Sequence, residues 1–208
     1  MLNGQETRPP VDAVLYLHGF NSGSESPKAQ LMRAACKRIV HQGKALPCST
    51  PQLPQRPQAA FEAAQAALEA LGSNTLVVGS SMGGFLASCL AERFDLAAVL
   101  LNPAVRPAHL IDELLGTEFV NDYTGERFTV DAAHGEELAR LVPPRLDPGR
   151  YLLLLGTADE TLDCRDAFKA YTGCRTLIEP GGDHGFSRIE KHLPAILAQG
   201  GHCLTPYS

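Results

Sequence analysis

Short apolar runs alternate with amphipathic stretches along most of the chain, and this alternation limits the fold more than any other feature. Each run spans only five residues, and nearly all of them are apolar. Such runs are typical of strands covered on both faces, and strands that alternate with helices favour a parallel, doubly wound sheet. We therefore predict an α/β protein with helices on both faces of a mostly parallel sheet. Its strands are AVLYL (13–17), TLVVG (75–79), AAVLL (97–101), YLLLL (151–155) and RTLIE (175–179).

Helical patterns occupy the intervals between these strands. Pro27 marks the start of a helix whose apolar stripe continues up to Gly43, and a second stripe is closed by Gly72. The segment MGGFLASCLAERF predicts a third helix directly after Ser81. A last helix over 189–197 contains Pro194, which must lie in its first turn or kink it.

The composition is that of an ordinary globular protein. With 208 residues, 44% of them hydrophobic, the chain can bury a large core as one domain spanning 1–208. A formal charge of −5 lacks the basic excess that favours nucleic acid, so we expect no nucleic-acid partner. No apolar run approaches the ~18 residues of a membrane span, and the amino terminus lacks a signal-peptide pattern. A cytoplasmic protein is expected.

The six cysteines are scattered through the chain without a C-x-x-C pair. The histidines likewise show no spacing typical of metal ligands. We expect free, buried thiols, with no metal and no cofactor.

The stretch VVGSSMGGF contains the pattern Gly79-x-Ser81-x-Gly83, which is the G-x-S-x-G nucleophile elbow. Only Ser81 fits that register, because Ser80 has Val78 and Met82 where glycines are required. The structural alternative is that Ser81 merely caps the helix that follows, since serine is a common N-cap residue. The pattern alone is a modest signal. The residues elsewhere in the chain must therefore decide whether Ser81 is a nucleophile or only a helix cap.

Chemically useful residues follow three of the predicted strands. Ser81 follows the second run, Asp159 follows YLLLL, and His184 follows RTLIE and a double glycine. Ligands bind beyond the carboxyl ends of parallel strands, and Ser, Asp, His is the chain order of the α/β-hydrolase triad. Ser81 is therefore the candidate nucleophile, His184 the base and Asp159 the acid that orients it. The backbone N–H groups of Phe20 and Met82 are the candidate oxyanion donors.

Several neighbouring residues compete for these roles. Glu160 and Asp163 are close enough in sequence to replace Asp159, which is preferred because it stands nearest the strand end. Asp183 adjoins the base but is interpreted as a turn residue. His18 is interpreted as shaping the oxyanion turn and not as moving protons.

The segment 104–150 interrupts the regular alternation of strands and helices, and it is rich in acidic residues. A connection this long inside an α/β domain is usually functional or an insertion. It lies where lids are often inserted in α/β-hydrolases, so we expect a lid-like segment over Ser81. Leu114 and Phe119 are its candidate substrate-binding residues, because apolar side chains here recur at helical spacing. Alternatively, these side chains only pack the segment onto the sheet.

The motifs LYLHGFNSG, SPKAQ, GSSMGG, LNPAVRP, NDYTGE, GTADETLDCR and GGDHGF occur in this order along the chain. Together they resemble the YqiA-like bacterial esterases of the α/β-hydrolase superfamily, over nearly the whole length. HGF and GxSxG are superfamily-wide, whereas SPKAQ, NPAVRP and YTGE are specific to that group. The resemblance implies a cytoplasmic esterase that acts on acyl esters and acyl-CoA thioesters. It matches Ser81, Asp159 and His184 to the family's nucleophile, acid and base.

One position departs from the family, which commonly has asparagine where Asp183 stands. The extra negative charge would raise the pKa of the neighbouring histidine if Asp183 pointed inward. The combined expectation is an esterase that acts on a small acyl ester or acyl-CoA substrate through an acyl-enzyme. An acyl-CoA thioesterase, a peptidase and a non-catalytic binding protein of the same fold remain the alternatives.

Overall fold

The computed structural model describes residues 9–204, and these residues contain the alternating strands and helices that the sequence predicts. In chain order the strands are β1 (Ala13–Leu17), β2 (Val40–His41), β3 (Lys44–Ala45), β4 (Cys48–Ser49), β5 (Thr75–Ser80), β6 (Ala98–Leu101), β7 (Glu118–Val120), β8 (Arg127–Thr129), β9 (Tyr151–Gly156) and β10 (Arg175–Glu179). The helices are α1 (Pro27–Lys37), α2 (Pro57–Leu71), α3 (Met82–Phe94), α4 (Ala108–Asp112), α5 (Ala132–Leu141), α6 (Cys164–Ala170) and α7 (Leu193–Gln199).

Six of the strands form one parallel sheet in the order β10-β9-β6-β5-β1-β4. The predicted parallel, doubly wound α/β fold is therefore confirmed. Because all six strands run in the same direction, their carboxyl ends lie along one edge of the sheet. The loops after β1, β5, β6, β9 and β10 consequently emerge on the same side of the molecule.

Alternate side chains of the strands build a core on each face of the sheet. On one face Leu15, Val77 and Leu153 belong to an apolar cluster that includes residues of α2, α3 and α6. On the other face Val14 and Val78 belong to a cluster that includes residues of α1 and α7. Burial on both faces explains why these strands have almost no polar residues.

The first helix is shorter than the sequence predicts. The stripe indicated a helix up to Gly43, but α1 ends at Lys37, and β2 and β3 then form a hairpin. Gln42 and Gly43 both have positive φ, 50° and 77°, as a two-residue type I′ turn requires. Ile39 is buried all the same, so its apolar character reflects the core and not a helical face.

Two other parts of the chain differ from or refine the sequence prediction. The edge strand β4 was not predicted, because two residues are too few to show a pattern. Pro194 lies in the first turn of α7, after a short 3₁₀ helix at Ile189–His192, so it does not kink a longer helix.

All six cysteines are free thiols, but only Cys36 and Cys89 are buried, and Cys203 is exposed. The expectation that they are all buried is therefore wrong. Among the helices described for residues 9–204, none has the length and apolar character needed to span a membrane.

The 104–150 segment lies between β6 and β9 and contains α4, the β7–β8 hairpin and α5. It contacts the loop that follows β1: the Asn121 side-chain amide donates to the Ser22 carbonyl, and the ring of Phe119 meets that of Phe20 edge-on. The segment also contacts Arg56, which pairs with Asp131 at the start of α5 and with Glu137 in the middle of this helix. The segment is thus attached beside the carboxyl ends of the strands.

Candidate active site

Ser81 occupies a sharp turn between β5 and α3. Its φ of 55° and ψ of −119° are unusual for a residue with a side chain, and such strain is common at functional turns. The turn is close-packed: a Cβ added at Gly79 would lie 2.1 Å from the Gly83 carbonyl oxygen. A Cβ added at Gly83 would lie 2.2 Å from the carbonyl oxygen of Leu17 in β1. Both glycines are therefore required by the approach of α3 to the sheet.

We expect Gly83→Ala to lower the melting temperature, because its new methyl group would collide with backbone that cannot move aside. Overpacking of this kind costs roughly 1–3 kcal/mol or more, and each kcal/mol lowers the melting temperature by roughly 2–4 °C at this size. Gly135→Ala in α5 is the matched control, since its Cβ would meet nothing closer than 3.7 Å. Thermal unfolding followed by circular dichroism compares the two. Equal melting temperatures would contradict the close-packing argument.

Ser81, His184 and Asp159 form a continuous hydrogen-bonded chain. His184 Nε2 lies 3.0 Å from Ser81 Oγ, and His184 Nδ1 lies 2.8 and 2.9 Å from the two carboxylate oxygens of Asp159. The Asp159 side chain is 2% exposed and that of His184 is 21% exposed. Asp159 also accepts backbone N–H bonds from Thr161 and Leu162, which fix its carboxylate. This geometry would allow the imidazole to take a proton from Ser81 Oγ.

The structure separates Asp159 from its two competitors. Glu160 accepts the backbone N–H of His184 at 3.0 Å, and this bond keeps the pKa of its carboxyl below the usual range. Asp163 caps α6 through the Arg165 N–H and pairs with the Arg165 guanidinium, which lowers the pKa of Asp163 to about 2. Of the three carboxylates, only Asp159 contacts the ring of His184.

Two residues that the sequence analysis did not single out hold the loop of His184. The buried Asn102, after β6, donates to the carbonyl of Asp183 at 2.9 Å and accepts from the Gly156 N–H at 2.8 Å. Lys28 donates from Nζ to the Gly185 carbonyl at 2.5 Å. Their only signal in the sequence was their place in the motifs LNPAVRP and SPKAQ.

Asp183 is placed as a turn residue. Its carboxylate accepts the Ser187 N–H at 2.9 Å, and this bond lowers the pKa of Asp183. The attraction of Lys28 acts in the same direction.

The turn after β1 lies against Ser81. A Cβ on Gly19 would stand 3.8 Å from Ser81 Oγ, so the Gly19–Phe20 peptide is next to the hydroxyl. His18 braces this turn: its Nε2 accepts the Leu53 N–H at 3.0 Å, and Nδ1 lies 2.9 Å from the Gly19 carbonyl oxygen. Burial lowers the pKa of His18, which favours a neutral ring in this structural role. Met82 begins α3, where a backbone N–H has no intrahelical partner.

A narrow pocket opens beside Phe20 and Met82, and we refer to it as the apolar pocket. Its cavity volume is only about 30 Å³. Its lining includes Phe20, Leu53, Pro57, Ala60, Met82, Leu86, Ile111 and Leu138, together with the polar residues His18, Gln55 and His134. The 104–150 segment thus contributes Ile111, His134 and Leu138.

The structure places Leu114 and Phe119 outside the lining of this pocket. Leu114 packs against the core cluster. The ring of Phe119 stacks on Phe128 with centroids 5.5 Å apart and meets Phe20 at 5.2 Å. Phe119 therefore touches the predicted oxyanion turn from outside, and a role of either residue in substrate binding stays a prediction.

Solved structures with the same architecture identify the fold as that of the α/β hydrolases. A protein from Agrobacterium vitis S4 is 23% identical, with 92% of this chain and 90% of that chain covered and a TM-score of 0.70. The esterase domain of a Rhodothermus marinus protein is 22% identical, with coverages of 95% and 88% and a TM-score of 0.62. Mouse alpha/beta hydrolase domain-containing protein 10 is 16% identical, with coverages of 92% and 89% and a TM-score of 0.64.

Within this fold class, residues 13–199 match the model of the family described as "Uncharacterised protein family (UPF0227)". The chain belongs to that family. UPF0227 is the YqiA-like family, so the resemblance inferred from the sequence motifs is confirmed.

Proposed function

We propose that this protein is a cytoplasmic serine esterase that cleaves a carboxylic ester through an acyl-enzyme on Ser81. The observation that carries the proposal is the hydrogen-bonded chain from Asp159 through His184 to Ser81 Oγ. Two features of the surroundings support it: the strained turn presents Ser81 beyond the end of β5, and the Gly19–Phe20 peptide lies beside its hydroxyl.

In the proposed mechanism, His184 Nε2 removes the proton of Ser81 as Oγ attacks the ester carbonyl carbon. The negative charge that develops on the carbonyl oxygen is stabilised by the backbone N–H groups of Phe20 and Met82. Asp159 holds the Nδ1–H tautomer and stabilises the imidazolium. His184 then protonates the departing alcohol, and a water molecule activated by the same ring hydrolyses the acyl-enzyme.

The leaving group of the substrate separates an esterase from an acyl-CoA thioesterase. Exposed acidic residues of the 104–150 segment, among them Glu118, Asp122 and Glu126, would repel the phosphates of coenzyme A. We therefore favour an uncharged alcohol as the leaving group.

A panel of p-nitrophenyl esters of graded chain length, assayed beside the matching acyl-CoA thioesters, tests the proposal. The esters should give the larger kcat/KM, and the Ser81→Ala variant serves as the blank. Higher kcat/KM with the thioesters would instead identify a thioesterase. If neither series is hydrolysed faster than by the blank, the protein is a non-catalytic member of this fold.

We also propose that the 104–150 segment acts as a lid that helps set acyl-chain preference. Leu114→Ala and Phe119→Ala should then change the ratio of kcat/KM between butyrate and octanoate esters, by ~1–3 kcal/mol for each contact that the lid loses with the acyl chain. The melting temperature should not fall in proportion. Leu138→Ala, which opens the apolar pocket itself, is the positive control. An unchanged ratio with a lowered melting temperature would show that Leu114 and Phe119 only pack the segment.

A further inference from the structure

The loop of the proposed base is held by side chains from two other elements. Asn102, after β6, donates to the carbonyls of Asp183 and His184 at 2.9 and 3.3 Å. Lys28, in the first turn of α1, donates from Nζ to the Gly185 carbonyl at 2.5 Å. Within residues 9–204, the Gly185 carbonyl accepts no backbone N–H. The peptide that follows the base is therefore held through Lys28.

The Lys28 ammonium is placed differently from that of an ordinary surface lysine. Lysine side chains usually keep their ammonium group in water. Lys28 is half-buried, and burial lowers its pKa, while attraction to Asp183 partly offsets this effect. Lys37, at the other end of the same helix, is exposed. Lys28 thus gives up hydration in order to contact the loop, which a merely solubilising role would not require.

Helix α1 also holds the loop that follows β1. Arg33 donates from its guanidinium to the Ser24 carbonyl at 2.7 Å. This loop begins with the Gly19–Phe20 peptide, which lies beside Ser81 Oγ. Through Arg33 and Lys28, one helix therefore contacts both the segment with the predicted oxyanion turn and the loop of the base.

We propose that Lys28 is a positioning residue, whose bond to the Gly185 carbonyl keeps the His184 ring within hydrogen-bonding distance of Ser81 Oγ. This inference rests on the proposed esterase function. Gly185 is exposed and has no side chain to pack, so hydrogen bonds must fix its peptide. His184 Nε2 lies 3.0 Å from Ser81 Oγ, and a displacement of about 1 Å can cost roughly 100-fold in rate.

Lys28→Met tests the inference, because it removes the ammonium and keeps most of the apolar chain. With a p-nitrophenyl ester, kcat should fall roughly 10- to 100-fold, since the base is then less well placed. KM should change by less than about twofold, as expected when substrate binding is unaffected. Lys28→Arg restores a cationic donor and should recover most of kcat. Lys37→Met is the matched control on the same helix and should behave as wild type.

The rate of fluorophosphonate labelling separates positioning from a loss of folded protein. The probe reacts with the activated serine, so Lys28→Met should be labelled more slowly by about the factor lost in kcat. The final amount of adduct should still reach one per chain. A purely structural role would instead lower the final amount and leave the rate of the folded fraction unchanged. Melting curves of Lys28→Met and Lys37→Met should agree closely.

An Asp183→Asn background distinguishes the bond to Gly185 from the attraction between Lys28 and the Asp183 carboxylate. The amide oxygen can still accept the Ser187 N–H, so the turn is retained. Lys28→Met should lose the same factor in this background. A loss that disappears there, wild-type kcat and labelling in Lys28→Met, or a raised KM with unchanged kcat would each overturn the inference. A wild type that neither hydrolyses esters nor takes up the probe would overturn the proposed function, and the inference with it.

Discussion

Replacement of Ser81 by alanine is expected to remove esterase activity almost completely and to abolish labelling by a fluorophosphonate probe. The hydroxyl of Ser81 lies 3.0 Å from His184 Nε2, and no acyl-enzyme can form without it. In another serine hydrolase, loss of the nucleophile lowers kcat by about 10⁶-fold. Intact-protein mass spectrometry should show one probe adduct on the wild type and none on Ser81→Ala.

The neighbouring serine provides the matched control for this result. Ser80 is the last residue of β5 and is 2% exposed, so its hydroxyl is shielded from solvent. Ser80→Ala should keep the adduct and most of the activity. A labelled Ser81→Ala protein would show that the nucleophile lies elsewhere.

Asp159→Asn is expected to lower kcat by roughly 10⁴-fold, by analogy with other Ser-His-Asp triads. The carboxylate lies 2.8 Å from His184 Nδ1 and selects the tautomer in which Nε2 faces Ser81 with its lone pair. An amide in the same place can donate to Nδ1 and would stabilise the opposite tautomer. Steady-state kinetics with a p-nitrophenyl ester measures the loss.

Asp163→Asn is the control for Asp159→Asn, and it should stay within about tenfold of wild type. Asp163 pairs with Arg165 at the start of α6 and does not contact the His184 ring. If Asp163→Asn were the more damaging change, the orienting acid would be reassigned, while the roles proposed for Ser81 and His184 would stand.

The sequence predicts the central sheet well because the apolar character of a buried strand is visible in the strand's own few residues. A strand covered on both faces must be apolar along its whole length, so β1, β5, β6 and β9 stand out from their surroundings. The strand β10 was predicted from the same kind of run, but it lies at the sheet edge with Leu177 and Ile178 exposed, so the expectation that it is covered on both faces is wrong. The short edge strand β4 and the two hairpins have no such requirement. The end of α1 was misplaced for a related reason: Ile39 is buried in the core, so its apolar side chain looked like a helical stripe.

In the candidate site too, residues recognisable from their local sequence were predicted, and residues that act through distant contacts were missed. Ser81, Asp159 and His184 were predicted from their places after three strands, and the structure brings these three side chains into hydrogen-bonding contact. Asn102 was not predicted as a support of the His184 loop, because its bond to Asp183 joins residues 81 positions apart. His134 was missed for a different reason: a single histidine within a helix gives no sign that it will line a pocket.

The distance along the chain between Ser81 and His184 has a consequence for biosynthesis. The two residues are separated by 103 positions, and the base arrives only with the loop after β10, the edge strand of the sheet. A ribosome-bound chain that has completed α3 therefore exposes a serine with no base beside it. If Ser81 is the nucleophile, the chain can hydrolyse esters only after the carboxyl-terminal strand has docked. An incomplete chain on the ribosome is therefore inactive. Turnover regained during refolding would then report that β10 and the loop that carries His184 have docked on the sheet.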